Sequence, residues 1–266
     1  MKLRLSAYRI ALFAIAPVLL FIALLAAGPI VQPDRYHEFA GAQRLLGVDN
    51  FWNVVSNLPF LLVGIYGFRL SFLKTIEMRR AWLAVFASAV LVFFGSSWYH
   101  LAPDDARLVW DRVPIALAFM ALFAVLVGES VHEKLGNALL LPAMFFGVAS
   151  VFWWRATGNL APYIWVQAAP ILMILLAPRE GKRYLLYALA CYVLAKLAEV
   201  RDAEIYAWTG EAVSGHVLKH LLAAAGVACF YYMLAAGPRA PHRPTMDLNR
   251  DRVRIQAQAV LPPEPK

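Results

Sequence analysis

The feature that most limits how this chain can fold is a succession of long apolar segments. Each is roughly twenty residues long, the length needed to cross the hydrocarbon core of a bilayer. Of all residues, 61% are hydrophobic and 16% are charged. We therefore predict an all-α, polytopic transmembrane helical bundle. The predicted spans are residues 10–32, 51–72, 81–101, 112–131, 136–154, 162–178, 183–200 and 213–236.

The two ends of the chain differ in composition from its middle. Residues 1–33 comprise a basic start and the first apolar segment, which could also be a signal peptide. Its length favours a retained span. Residues 237–266 are rich in Pro, Arg and Asp, so we predict a disordered cytoplasmic tail.

The basic residues lie mostly at the chain ends and in short loops. The formal net charge is +8, which alone would allow nucleic-acid binding, but short basic loops are typical of the cytoplasmic side of membrane proteins. With eight spans, 17 of the 25 Lys and Arg residues fall on the side that carries both termini. We expect both termini in the cytoplasm and no nucleic-acid partner. The Ala-, Leu- and Arg-rich composition with compact loops is typical of a bacterial inner-membrane protein.

Polar side chains gather at the ends of three predicted spans. The third span ends with Ser96 and His100, the fourth begins beside Asp111, and the eighth begins with His216 and His220. Residues four apart share one face of a helix. Because the third span runs outward while the fourth and eighth start at the outer side, we expect all five groups to converge near the outer surface. Ionisable groups inside a membrane are costly and usually functional.

Three histidines and one open coordination position form the ligand set of many zinc hydrolases, in which the metal activates a water molecule. A nearby carboxylate can take the proton of that water or orient a ligand, and Asp111 is placed for either role. Ser96 can donate a hydrogen bond to a developing oxyanion. The pattern predicts His100, His216 and His220 as metal ligands, with Ser96 and Asp111 as catalytic residues.

These motifs resemble those of the alkaline ceramidase family. That family is part of a wider group of seven-span membrane hydrolases, which also includes receptor-like relatives. The resemblance lies in "SSWYH", in the aspartate of "WDRVP" that opens the next span, and in "HVLKH" on the last span. It implies a seven-span catalytic core over residues 34–236, to which the first span is an addition.

A second stretch, "NFWNVVSNLPFLLVG" at residues 50–64, resembles the F-W-N-x-x-S-N segment that opens the ceramidase core. Asn53, Ser56 and Asn57 share a helical face there. We expect them to form a structural polar cluster that hydrogen-bonds between helices.

One position departs from the animal members, which have a glutamate directly before F-W-N that belongs to a calcium site. Asn50 takes the place of that glutamate here. Asp34, Glu38 and Asp49 could supply hard oxygen ligands for calcium, but their spacing does not match. The resemblance therefore implies zinc as the cofactor and leaves calcium doubtful.

Three further charged residues lie within predicted spans. Lys196 and Glu199 are three residues apart and could pair, so we interpret them as structural or as lining a polar entrance. Lys219 could face the cavity, snorkel or pair with a carboxylate.

The motifs and the resemblance together predict a zinc-dependent intramembrane amidase with its active site near the outer side. It would hydrolyse the amide bond of ceramide or a related N-acyl lipid to a fatty acid and a sphingoid base. A receptor-like or structural zinc membrane protein without turnover is the alternative, although Ser96 and Asp111 favour catalysis because structural zinc sites are usually closed by four protein ligands. A b-type bis-histidine haem protein is a further alternative. The oligomeric state stays open.

Overall fold

The structure, a computed structural model, describes residues 7–176 and 182–237. The only β-structure within these ranges consists of two isolated bridges, Val31 with Asn159 and Leu45 with Val48. The basic start before residue 7 and almost all of the predicted tail lie outside the described residues. The helices are α1 (Ala7–Ala26), α2 (Phe51–Val55), α3 (Leu58–Leu73), α4 (Arg79–Leu101), α5 (Asp105–Ser130), α6 (Glu133–Thr157), α7 (Ala161–Leu176), α8 (Lys182–Val200), α9 (Asp202–Trp208) and α10 (Gly215–Ala236).

Among the described residues, five helical segments are long and apolar enough to cross a membrane: α2 with α3, α4, α5, α6 and α10. Two shorter segments, Ile10–Ala26 and Ala161–Leu176, are also apolar. The remaining predicted span corresponds to α8, which carries four charged residues, Lys182, Arg183, Lys196 and Glu199. The architecture is the all-α polytopic membrane bundle that the sequence predicts, while the number of eight spans stays a prediction.

Large apolar side chains cover the outside of the bundle. On α6, Leu141 and Phe145 are one turn apart and are 74% and 76% exposed. Such surfaces are unfavourable in water, whereas a helix keeps its backbone hydrogen bonds internal and is stable in lipid. The bundle therefore presents an apolar face suited to a membrane.

The helix α5 lies at the centre of the bundle, where it packs against α4, α6 and α7. On α4, Gly95 lets these two helices approach closely, because a Cβ there would lie 2.0 Å from the carbonyl oxygen of Trp110. Ser96 and Asp111 are the next residues after this contact on the two helices. A single small residue therefore brings both predicted catalytic side chains to the same crossing point.

Two helix ends differ from the ends of the corresponding predicted spans. The fifth helix begins at Asp105 instead of beside Asp111, because Asp104 accepts a hydrogen bond of 2.7 Å from the backbone N–H of Arg107 and caps the helix. Asp111 is therefore about 9 Å along α5 and not at its end. The first helix ends at Ala26, before Gly28, whose φ of 87° lies in the left-handed region. The short helix α9 was not predicted.

The segment between α1 and α2 lies against the ends of several helices. The Nδ1 atom of His37 is 2.9 Å from the Tyr99 hydroxyl, and its Nε2 atom is 3.2 Å from Asp105. The backbone N–H of Ala40 donates to Asp202 over 2.9 Å. This irregular segment therefore links the ends of α4, α5 and α9 around the predicted site.

Candidate metal centre

Three buried histidines come together where the end of α4 meets the start of α10. His100 lies in the last turn of α4, and His216 and His220 lie in the first two turns of α10. One ligand nitrogen from each lies within 4.8 Å of those of the other two. The Nε2 atoms of His100 and His216, from residues 116 apart in sequence, are separated by 3.2 Å. The structure brings together all three predicted ligands.

The trio has the chemistry and spacing of a group that could hold a metal ion. Two imidazole nitrogens on one tetrahedral zinc ion lie about 3.3 Å apart, given bond lengths of about 2.0–2.1 Å. The distance between the His100 and His216 nitrogens is close to that value. The other ring nitrogen of His100, Nδ1, points away from this contact and is buried without a hydrogen-bond partner among the described residues. Because the rings of His100 and His216 are in contact, a porphyrin plane has no room between them. This contact argues against the alternative of a bis-histidine haem protein.

A short hydrogen-bond chain holds His220. The Ser56 Oγ atom lies 2.7 Å from His220 Nδ1 and 3.2 Å from the carbonyl oxygen of Asn53. The hydroxyl must donate to the carbonyl, so we assign its oxygen as the acceptor of the His220 Nδ1–H. That tautomer leaves Nε2 with a lone pair for a metal, and such partners commonly orient metal-binding histidines.

The predicted polar cluster therefore contacts the site directly. Asn53, Ser56 and Asn57 are all buried. The side-chain amide of Asn57 donates to the carbonyl oxygen of Asn53 over 2.8 Å. This bond stabilises the break between α2 and α3, which is the segment that presents Ser56 to His220.

We expect Ser56→Ala to weaken metal binding about 10- to 100-fold, because His220 would lose the acceptor that fixes its tautomer. The measurement is a competitive chelator titration of the purified protein. Ser97→Ala is the matched control, since Ser97 donates to the carbonyl oxygen of Val54 and to no histidine. Equal affinities of Ser56→Ala and the wild type would contradict the assignment.

His216 is held through its backbone and by an aromatic ring. Its N–H donates to one carboxylate oxygen of Asp202 over 2.7 Å, while the other oxygen accepts the N–H of Ala40. The ring of Phe39 covers both His100 and His216, with centroid distances of 4.8 and 4.4 Å. The start of α10 and the segment before α2 are thereby joined beside the metal ligands.

The two predicted catalytic residues line a cavity of about 200 Å³ together with His220. Ser96 is 2% exposed and Asp111 is 7% exposed, and their side chains interact. Ser96 is also one turn before His100 on α4. The structure thus places a hydroxyl and a carboxylate at the polar end of the cavity, next to a metal ligand.

An ion-pair group also lines the cavity. One Glu199 oxygen lies 2.7 Å from the Lys196 ammonium, and the other lies 2.5 Å from the Lys219 ammonium. All three residues line the cavity. Their pairing agrees with a structural role, and Lys219 both faces the cavity and pairs with a carboxylate.

The candidate calcium ligands do not come together. Glu38 pairs with Arg35 at 3.7 Å and Asp49 pairs with Arg44 at 3.4 Å. Asp34 forms no metal-binding group with Glu38 or Asp49. Throughout the described ranges, the three histidines form the only group of His, Cys, Asp and Glu side chains that could hold a metal ion.

Sequence reasoning missed several residues that position the site. Asn50 donates a hydrogen bond of 2.9 Å to the carbonyl oxygen of His100, so it ties the start of α2 to the end of α4. Asp202 and Phe39 support His216. The position of Asp202 beside the end of a predicted span gave only a weak indication of this role. Nothing in the sequence distinguished Phe39 from the many other aromatic residues.

The family comparison covers most of this site. A family model described as Ceramidase matches residues 48–183, just over half of the 266 residues. The matched part contains the polar cluster, Ser96, His100 and Asp111, and it ends before the two histidines of α10. A search of curated proteins found no match. From the family match, the chain belongs to the Ceramidase family.

Proposed function

We propose that the protein is a zinc-dependent intramembrane amidase that hydrolyses the amide bond of ceramide or a related N-acyl lipid. Family membership supports a membrane hydrolase that acts on amide bonds. The observation that carries the proposal is a group of three buried histidines, one of which lines the polar end of an apolar cavity together with Ser96 and Asp111.

The three histidines would hold the metal ion through neutral imidazole nitrogens. A zinc ion with an open position supplies a Lewis acid and activates water. His220 is oriented for this role by Ser56, and His216 is held by Asp202. The ligands are therefore fixed by the fold before the metal binds.

Asp111 would act first as general base and then as general acid. It accepts a proton from the attacking water as the new C–O bond forms, and it returns that proton to the nitrogen as the C–N bond breaks. Ser96 donates a hydrogen bond to the carbonyl oxygen as negative charge develops there. The products are a fatty acid and a sphingoid base.

The apolar part of the cavity fits the acyl chain of such a lipid. Ser96 and Val85 both line the cavity and are separated by about 16 Å along α4. His220 and Phe230 also line it, about 15 Å apart along α10. A long acyl chain would lie along these helices with its amide beside Ser96. In the predicted orientation, with both termini in the cytoplasm, that amide lies near the outer side.

The test is fatty-acid release from a panel of N-acyl lipids, including ceramide, by detergent-purified full-length protein loaded with zinc. His216→Ala is the control, because it removes one ligand from α10. We expect release from ceramide or a close analogue that is lost in the variant. No release from any lipid, with about one metal ion still bound per chain, would instead favour the receptor-like alternative.

A further inference from the structure

A buried arginine with an aromatic cage lies on the wall of the same cavity. Arg112 is 3% exposed and lines the cavity. Its guanidinium carbon lies 3.9 Å from the centroid of the Trp154 ring, and 5.1 and 5.2 Å from those of Tyr36 and Tyr163. Aromatic faces stabilise a cation in this geometry. The rings also restrict the orientation of the guanidinium.

Most hydrogen-bond donors of this guanidinium are not used within the described structure. Its Nη2 atom donates to the side-chain oxygen of Gln32 over 2.7 Å. The Nε and Nη1 atoms are buried without a described hydrogen-bond partner. None of the ion pairs among described residues includes Arg112. Arginine stays charged in proteins, and a buried charge without a counter-charge is strongly unfavourable.

The charged groups around the cavity leave one positive charge unbalanced. Glu199 is shared by Lys196 and Lys219, and Asp111 is the other carboxylate on the wall. With Arg112, three cationic side chains face two carboxylates, before any metal ion is counted. A ligand with a negative charge would offset this excess.

We propose that Arg112 binds a carboxylate of the substrate, so that the preferred lipids are N-acyl amino acids. This inference rests on the proposed amidase function and narrows its substrate class. A carboxylate accepts two parallel hydrogen bonds from an arginine fork, and its negative charge offsets the excess positive charge of the cavity wall.

The position of Arg112 assigns the carboxylate to the amine portion of the lipid. Arg112 directly follows Asp111 on α5, so the two side chains leave the helix about 100° apart. A carboxylate bound by Arg112 therefore belongs to a part of the lipid next to the amide, while the amide itself lies at Asp111. The acyl portion occupies the apolar part of the cavity, which leaves the amino-acid portion for the aromatic cage.

The test compares N-dodecanoylglycine with N-dodecanoylethanolamine, which share the acyl chain and the amide and differ in a carboxylate against a hydroxyl. With zinc-loaded, detergent-purified full-length protein, we expect kcat/KM to favour the glycine conjugate by about tenfold or more, as charge-assisted hydrogen bonds allow. In Arg112→Met this ratio falls towards one, mainly through a higher KM for the glycine conjugate. Arg112→Lys keeps the positive charge but loses the paired N–H donors of the guanidinium, so we expect an intermediate ratio of kcat/KM. This variant replaces Arg112→Met in the test if Arg112→Met does not fold.

The matched control is Arg155→Met, which removes an exposed arginine of α6 that does not line the cavity. We expect it to keep the wild-type ratio. A wild-type preference for the ethanolamine conjugate, or a ratio unchanged in both Arg112 variants, would overturn the proposal.

A second carboxylate that Arg112 could bind is that of the released fatty acid. Calorimetric titration with dodecanoate, and with dodecanol as its uncharged counterpart, tests this alternative. Binding of dodecanoate that depends on Arg112, together with an unchanged hydrolysis ratio, would assign the site to the released fatty acid and overturn the substrate assignment. If the wild type hydrolyses neither conjugate nor ceramide, the proposed function fails. Arg112-dependent binding of intact N-dodecanoylglycine over the ethanolamine conjugate would then still support the carboxylate site.

Discussion

His100→Ala is expected to remove the bound metal and abolish lipid hydrolysis. His100 is the only one of the three ligands on α4, and its loss would leave two histidines one turn apart on α10. A catalytic zinc ion supplies several kcal/mol of transition-state stabilisation, so we expect activity to fall about a thousandfold or more. The measurements are metal content after desalting and fatty-acid release from the best lipid of the panel.

His132→Ala is the matched control for this variant. His132 caps α6 by accepting a hydrogen bond of 3.1 Å from the backbone N–H of Lys134, and it is not part of the metal-binding group. It should keep both metal and activity. If His100→Ala retained a full complement of metal, His100 would not be a ligand and the metal site would have to be reassigned.

Asp111→Asn is expected to keep the metal and lose turnover. Asparagine has nearly the same shape and preserves the buried volume beside Ser96, but it cannot accept the proton of the attacking water. General acid–base groups contribute about 10²- to 10⁴-fold, and we expect kcat to fall by that factor. The measurement is kcat at saturating lipid together with the metal content of the same sample.

Asp105→Asn provides a comparison on the same helix. The Asp105 side chain is 50% exposed and contacts His37, so it should retain wild-type kcat. Loss of metal in Asp111→Asn would assign that carboxylate to metal binding instead of proton transfer. Wild-type kcat in Asp111→Asn would exclude it as the general base.

The helices and the grouping of the three histidines could be predicted because their signals are local. In lipid the backbone must satisfy its hydrogen bonds within each helix, so segment length and hydropathy indicate where a helix crosses. Histidines four residues apart share a face in any helix. The order of the spans then places His100 at the same end of the bundle as His216 and His220.

The start of α5 could not be predicted from hydropathy, because a helix begins where it is capped and not where it becomes apolar. The polar residues after Asp104 continue the helix outside the apolar stretch. For this reason Asp111 lies more than one turn inside α5 and not at its first residue.

The surroundings of Arg112 were also beyond sequence reasoning. As the neighbour of Asp111, it could be taken for a loop charge or for half of a local ion pair. Its aromatic partners instead come from α6, α7 and the segment before α2. Contacts between segments so distant in sequence leave no periodic pattern along the chain.

The separation of the metal ligands also has a consequence for biosynthesis. Two of the three histidines lie on α10, the last of the described helices, 116 or more residues after His100. If the proposed function holds, a nascent chain whose α10 is still inside the ribosome has only one of the three ligands in the membrane, so it could not hydrolyse lipid during insertion. Metal binding would then join α10 to α4 and add to the stability of the folded chain.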